Sequence, residues 1–593
     1  MTKIRTLFAC LTSLFLLFLV SSCQNDSTQS ASTDEKFTVK VRLPGEPDGL
    51  NPITATFSYS RQITDIIHLN LLQFSPTTLE LAPQLAKSRP QIKEITEGPL
   101  KGGVAYTFEL FDEARWDNGE PVSAKDFIFS MKAIFNPLVR AQPVRSFLNF
   151  MRDIRVDPQN PRKFTIFTNQ KYILGEAAVS NTYVIPEYIF DPEHLMKAYS
   201  IKDLLNPEKA AALKEEANIQ EFADAFNSAR YAREKEFVVG CGPYELVDWQ
   251  SGQQIVLKKK ENWWGDALAE KFEMLRAVPS ELVFLPIKDQ TTAAIALRDE
   301  KYDVTSQLDA KTFLDFKKDS RISGIYNFYL QPSVAYDFIY INAKLPKLAD
   351  KRVRRALAHL LNVKEIIEKG RQGLAQVMVG PVNPELEYFN KDLKPIEFNV
   401  QQAKGLLAEA GWKDFDNNGI VDKIIDGKRV EMNLTLLIAA GSSLSQTIGL
   451  LFKNGAKKGG VNIELQEMEG RAKLSEIKAR NYELATGSFV SYPNLLDDFE
   501  QLYHTSSDNP NGFNRTGFGN AESDALIEEI KITLDEEKRN DLYRQFQEIL
   551  YDEQPQLFID LPQERIAIHK KFDAKPSALK PGYHVPHFKL NQK

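Results

Sequence analysis

The sequence has little cysteine: three residues in 593, at positions 10, 23 and 241. Cys10 lies inside an N-terminal apolar run and Cys23 stands three residues after that run ends, so a processed chain keeps Cys241 without a partner for an intramolecular disulfide. An exported chain of this kind has to be held together by the size of its core. Cys241 is not expected to be a nucleophile, because Val238-Val239-Gly240-Cys241-Gly242-Pro243-Tyr244 offers neither a base nor a cation. Histidine is scarce too, at seven scattered residues. His584 and His587 are close, but no nearby cysteine or carboxylate completes a ligand set, so no metal site is expected. There is no surplus of positive charge. The net charge is −6, and Lys and Arg are spread along the chain, which argues against a nucleic-acid binder, whose basic stripe raises the pI above ~9. After residue 20 no apolar run approaches the ~20 residues of a membrane span, and no repeat at a solenoid period is found.

Catalytic signatures are missing as well. There is no Walker A loop, G-x-G-x-x-G or H-E-x-x-H. Ser475-Glu476-Ile477-Lys478, Ser507-Asp508-Asn509 and Arg515-Thr516-Gly517 imitate the motifs of penicillin-binding enzymes, but the intervals are too short for the helical domain between such motifs. Asp497 and Asp498 are adjacent and point apart on regular structure, which does not suit a glycosidase pair. Asp414, Asp416, Asn418 and Gly419 open like a calcium loop, yet its twelfth position is Ile425 where a bidentate Glu belongs, so 414–422 reads as a solvated turn. No catalytic residue, cofactor or metal is assigned, and the chain is not expected to be an enzyme.

What is present is an ordinary globular composition, 43% hydrophobic, 26% charged and 10% aromatic. That excludes wholesale disorder, and the length allows about three to five domain-sized units. Lys3 and Arg5 precede the apolar stretch Leu7–Val20, which is short for a span and suited to a signal peptide. Val20-Ser21-Ser22-Cys23 resembles the lipobox of bacterial lipoproteins. Residues 1–22 are therefore expected to be a signal, Cys23 a lipidated residue that ties the protein to a bilayer, and 23–36 an almost wholly polar tether. The expected location is exported, periplasmic or cell-surface.

Strand-like and helix-like stretches alternate, as in a mixed α/β protein. Strands are expected at 37–43, 106–110, 163–168, 253–259, 281–287 and 336–342, with surface helices over about 191–236. A single helix is expected over 352–369 with Gly370 as its stop, and a short one over 401–410 ended by Gly411. Residues 521–551 read as two helices, the second opened by a capping box at Thr533-Leu534-Asp535-Glu536. Residues 556–568 read as a strand broken by Pro562.

Several motifs then occur in a telling order. They are Gly45-Glu46-Pro47-Asp48-Gly49-Leu50-Asn51-Pro52, Leu81-Ala82-Pro83-Gln84-Leu85-Ala86 and the block Ala114–Met131. Gly240-Cys241-Gly242-Pro243-Tyr244, Asn262-Trp263-Trp264-Gly265, Arg352–Leu357, Glu409-Ala410-Gly411-Trp412 and Lys538-Arg539 follow. The block Ala114–Met131 contains a tight turn at Asn118-Gly119 and a helix entered at Ser123 with Asp126 in its first turn. From about residue 37 to about 570 the chain resembles the family-five extracellular solute-binding proteins, the oligopeptide- and dipeptide-binding components of ABC importers.

The resemblance implies an α/β, two-lobed periplasmic-binding-protein-like fold with an interlobe cleft and hinge. Lobe I would be 37–300 with 556–593 returning to it, and lobe II 301–555. A peptide would be captured in the cleft and delivered to the membrane subunits of an ABC importer by a monomeric protein. Ligand-facing positions would be Phe57, Ser58, Gly487, Ser488, Phe489, Val490, Ser491 and Tyr492. Two departures stand out. Cys241 takes the place of a usual Thr, and Ser491 stands where an Asp often pairs with the peptide ammonium group. Asp497 or Asp498 is placed to reach back instead. The alternatives are the same fold holding another solute, an importer-independent scavenger or sensor, and a secreted hydrolase.

Overall fold

Val39, Val41 and Leu43 are buried along strand β1 (Thr38–Leu43), and the alternation that announces the strand continues through most of the molecule's central sheet. The computed structural model describes residues 37–492, 494–509 and 512–591. The expected signal 1–22, Cys23 and the tether 24–36 lie outside the described residues. No helix among those described is long and apolar enough to cross a membrane.

Among the described residues, twelve strands form the central sheet. After β1 they are β2 (Tyr244–Gln250), β3 (Gln254–Lys259), β4 (Glu281–Pro286), β5 (Val304–Thr305) and β6 (Tyr326–Pro332). Then come β7 (Ala335–Ile341), β8 (Ala375–Val377), β9 (Asn433–Ala439), β10 (Asn462–Met468), β11 (Leu484–Val490) and β12 (Gln556–His569). Their order is β2-β3-β4-β1-β5-β12-β7-β11-β9-β10, with β6 and β8 also paired to β12. A separate four-stranded sheet, built from Gln91–Glu94, Val104–Glu109, Lys163–Thr168 and Met151–Val156, packs on the helix Ala124–Phe135. Phe164 stacks between Phe108 and Phe127 there, at 5.8 and 4.8 Å. Ser123 and Asp126 close a capping box at the start of that helix, and Gly119 takes a left-handed conformation at φ +85°.

Strand β12 joins the two halves of the sheet. Its first residues pair with β7, Gln556 opposite Tyr340 and Phe558 opposite Phe338. Its last residues pair with β6, Gln563 opposite Pro332 through His569 opposite Tyr326. Only Ser333 and Val334 separate β6 from β7, so the chain passes between the halves at both places. Pro562 does not break the strand as expected. It sits where β12 changes neighbours, next to an irregular register at Asp337 and Phe338, and an edge or irregular position is where a residue without an N–H is tolerated in a sheet.

Two helix boundaries also differ from expectation. Residues 352–369 are not one helix but Lys351–His359 and Val363–Arg371. Leu360 and Leu361 are buried between them, and Asn362 accepts from the Glu365 N–H to start the second. That helix ends at Gln372, in a left-handed conformation at φ +52°, not at Gly370. The helix Glu536–Glu553 is capped by Asp535, which accepts from the Lys538 N–H, so Thr533 is not its N-cap.

Candidate functional site

A cavity of about 800 Å³ is lined by Phe284 of β4 together with helical and connecting segments, among them Val334 between β6 and β7 and the segment that follows β11. One wall is the helix Ser58–Ile67, whose entry is fixed by Asp48. The Asp48 carboxylate accepts from the Thr56 N–H (2.9 Å), the Thr56 hydroxyl (2.8 Å), the Phe57 N–H (3.3 Å) and the Ser60 hydroxyl (2.5 Å). Desolvation alone would raise its pKa, but these bonds outweigh it and hold the carboxyl below its ordinary value. Phe57 and Ser58 are thereby presented to the cavity, and Phe57 remains 52% exposed. The opposite wall includes Val334, at the crossover between β6 and β7, with Tyr492, Asn494 and Leu495. The C-terminal segment around Leu579–Pro586 closes a third side.

On the helix wall Arg61 and Asp65 stand one turn apart, Arg61 Nε being 3.9 Å from Asp65 Oδ1. Asp65 accepts a hydrogen bond from the Tyr183 hydroxyl, and Arg61 Nη2 donates to Asn181 Oδ1 at 2.8 Å. Asn181 in turn donates to Gln73 Oε1 at 2.6 Å. Burial pushes the Asp65 carboxyl up, against the pull of Arg61 and Tyr183. These side chains form one connected polar patch on an otherwise largely apolar surface.

Of the expected ligand-facing residues, Phe57, Ser58 and Tyr492 line this cavity together. Gly487, Ser488, Phe489 and Val490 are in β11, paired with Phe338, Asp337, Tyr336 and Ala335 of β7, and are not among its lining residues. Ser491 is 3% exposed and its N–H donates to Val334 O at 2.8 Å. Asp497 and Asp498 do not line the cavity either. Asp497 Oδ2 accepts from the Tyr388 hydroxyl at 3.1 Å, and its main-chain oxygen from the Tyr543 hydroxyl at 2.5 Å. Burial pushes this carboxyl up to about 7, with Ser491 and Tyr388 working the other way. Asp498 Oδ2 accepts from the Tyr172 hydroxyl at 3.0 Å.

Arg61, Asp65, Asn181 and Tyr183 are cavity residues that the sequence reading missed. The i, i+4 spacing of Arg61 and Asp65 just after Phe57 was a usable signal. Their partners are more than a hundred positions away, where no local pattern marks them.

At the sheet crossover, Arg371 binds two carboxylates at once, Asp337 and the fully buried Asp560. Burial and the nearby Asp560 raise the Asp337 carboxyl to about 6 despite Arg371. In the 414–422 turn, Arg429 donates to Asp422 at 2.8 and 2.6 Å and lies 3.2 Å from Asp416, so an internal cation already faces those carboxylates. Cys241 is buried, and burial pushes its thiol up to about 12. Its carbonyl accepts from the indoles of Trp263 and Trp264 at 2.8 and 3.0 Å. The flanking Gly242 is required by close approach, since a Cβ there would lie 2.6 Å from Ile67 O.

Comparison with known proteins agrees with this architecture. The oligopeptide-binding protein AppA of Bacillus subtilis is 24% identical over 97% of this chain and 96% of its own. Its solved structure, in complex with a nonapeptide, matches with a TM-score of 0.66 at 21% identity over 94% of this chain and 99% of that one. NikA of Brucella suis, solved with Fe(III)-EDTA, matches with a TM-score of 0.72 at 18% identity over 93% and 100%. The fold is α/β and of the two-lobed periplasmic-binding-protein type. The model of the bacterial extracellular solute-binding proteins, family 5, matches residues 80–512, and the chain belongs to that family.

Proposed function

We infer that the protein captures peptides in the cavity between its lobes and hands them to the membrane subunits of an ABC importer. The observation that carries this reading is the cavity itself. Its volume of about 800 Å³ falls within the ~300–1,000 Å³ of ligand sites, and segments on both sides of the proposed lobe division line it, Phe57 and Ser58 on one side and Tyr492, Asn494 and Leu495 on the other. The choice of peptide as solute follows AppA of Bacillus subtilis, an oligopeptide-binding protein solved with a nonapeptide. Phe57, Ser58 and Tyr492 contact the ligand directly, while Gly487–Ser491 brace the wall behind Tyr492. The lobes divide where strand pairing changes, at Ser333-Val334 and at Pro562, so residues 301–332 go with the first lobe. The protein acts as a monomer outside the cytoplasm, held to a membrane by lipid on Cys23.

Native mass spectrometry of the purified protein tests the reading. Peptide masses released on denaturation are expected, and a mixed pool of short peptides should raise the melting temperature of ligand-free protein. A ligand at a hundred times its Kd stabilises by about 2.7 kcal/mol. No co-purified peptide together with no thermal response to the pool would refute it.

A further inference from the structure

Among the described residues five aromatic side chains are exposed: Phe57, Phe147, Phe415, Tyr492 and Phe513. Three of the five, Phe57, Phe147 and Tyr492, line the same cavity. Apolar residues exposed singly are ordinary on a protein surface, but a concentration of them in one concave place marks a contact surface. The order of motifs points to Phe57 and Tyr492. No motif points to Phe147, which is the most exposed of the three, at 57%.

Phe147 ends the short helix Gln142–Phe147, none of whose residues is buried. It stands three positions after Val144 and four after Pro143, so the three share a face of that helix, and all three line the cavity. Leu148 and Leu174, both buried, line it beside them. The helix is nevertheless held in place. Arg145 Nε donates to Ile134 O at 2.9 Å, and its Nη2 donates to Asn136 O and Val139 O, each at 2.9 Å. Pro143, in the first turn, has its φ fixed by its own ring. An apolar face that the fold holds but leaves open loses little freedom when it takes up a partner. A large apolar side chain laid on it removes apolar surface from water on both partners, whereas a charged one has to give up its hydration.

We propose that Phe147, with Val144 and Leu148 beside it, receives a large apolar side chain of the bound solute, so that Phe147 determines specificity and the protein selects peptides carrying such a side chain. The proposal rests on the peptide-capture reading above. It differs from a role in which the helix merely covers the lobe beneath it, because only a receiving face makes affinity depend on the side chain of the ligand.

Calorimetry on the purified, ligand-free protein tests it with Ala-Ala-Ala, with the tripeptides that replace one alanine by phenylalanine, and with those that replace one by lysine. At least one phenylalanine peptide should bind tighter than Ala-Ala-Ala by about tenfold or more, and its lysine counterpart should not. Phe147→Ala should bring the ratio for that peptide down towards one, and Phe147→Leu should keep part of it. No gain from phenylalanine at any position, an equal gain from lysine, or a gain that survives in Phe147→Ala overturns the proposal. If no peptide binds, the peptide reading falls, and phenyl β-glucoside against methyl β-glucoside decides the rest. Phe147-dependent binding of the phenyl compound upholds the receiving face, and its absence refutes it. Should Phe147→Ala lose its native circular dichroism, a fall of the ratio in Phe147→Leu decides in its place.

Discussion

The Tyr172 hydroxyl donates a 3.0 Å hydrogen bond to Asp498, a residue 326 positions further along the chain. Next to it the Ile173 N–H donates to Lys531 O at 3.0 Å, and Ile173 packs on the aromatic cluster around Phe499 and Tyr543. On the lobe division proposed above, this is a contact between lobes, made when they are together.

A contact of that kind favours the closed state only, so its loss should act on ligand affinity and not on the stability of either lobe. Tyr172→Phe is expected to weaken binding by about tenfold, as fits a hydrogen bond to a charged group. The ligand-free melting temperature should stay within a degree or so. Calorimetry and thermal melts on the same preparations check this, and unchanged affinity would show that the bond does not serve closure.

Asp497 predicts a pH dependence. Folded, its carboxyl holds a proton up to about 7, whereas in an unfolded chain it ionises near ~3.9. Between these values the native state binds more protons than the unfolded one, so stability falls as pH rises and levels off above 7. Asp337, whose carboxyl is also pushed up by burial, contributes in the same direction. Asp497→Asn should therefore flatten the decline between pH 6 and 7 and leave part of it below 6. Urea unfolding at pH 5, 6, 7 and 8 reads the difference, at up to about 1.4 kcal/mol per pH unit for one proton.

Gly487 is a packing prediction. A methyl group there would stand 2.5 Å from the Tyr340 ring and 2.8 Å from that of Phe338. Both rings are held by neighbours in the sheet, so Gly487→Ala should cost about 1–3 kcal/mol. A denaturant melt of the variant measures it, and a change near zero would mean that the rings have room to move.

The anchor is tested apart from the fold. Cys23→Ala should give a protein that no longer partitions into detergent with membranes once its signal is removed. Partitioning equal to wild type after signal removal would refute lipidation at Cys23.

Much of the fold was legible because it rests on local periodicity. The strand Lys163–Thr168 has the bounds its alternation predicts, and the Ser123 cap with the Gly119 turn follows from residue type. The break at Leu360–Asn362 was not legible, because the apolar spacing of the two helices runs on through it. The role of Pro562 was hidden for a different reason: its tolerance depends on which strand lies beside it, which no local pattern encodes. The candidate site divides in the same way. Phe57 and Tyr492 came from motif order, whereas the Arg61, Asp65, Asn181 and Tyr183 patch exists only once distant segments meet.

Strand β12 also has a consequence in time. It is the element that both halves of the central sheet share, and at Gln556–His569 it follows every other strand of that sheet in chain order. A polypeptide emerging from its N-terminus can condense the four-stranded sheet and its helix early, but the two halves of the central sheet stay unjoined until β12 arrives. A chain stopped between β11 and β12 would therefore carry the strands of both half-sheets without the one that joins them, leaving open edges ready to pair with other chains.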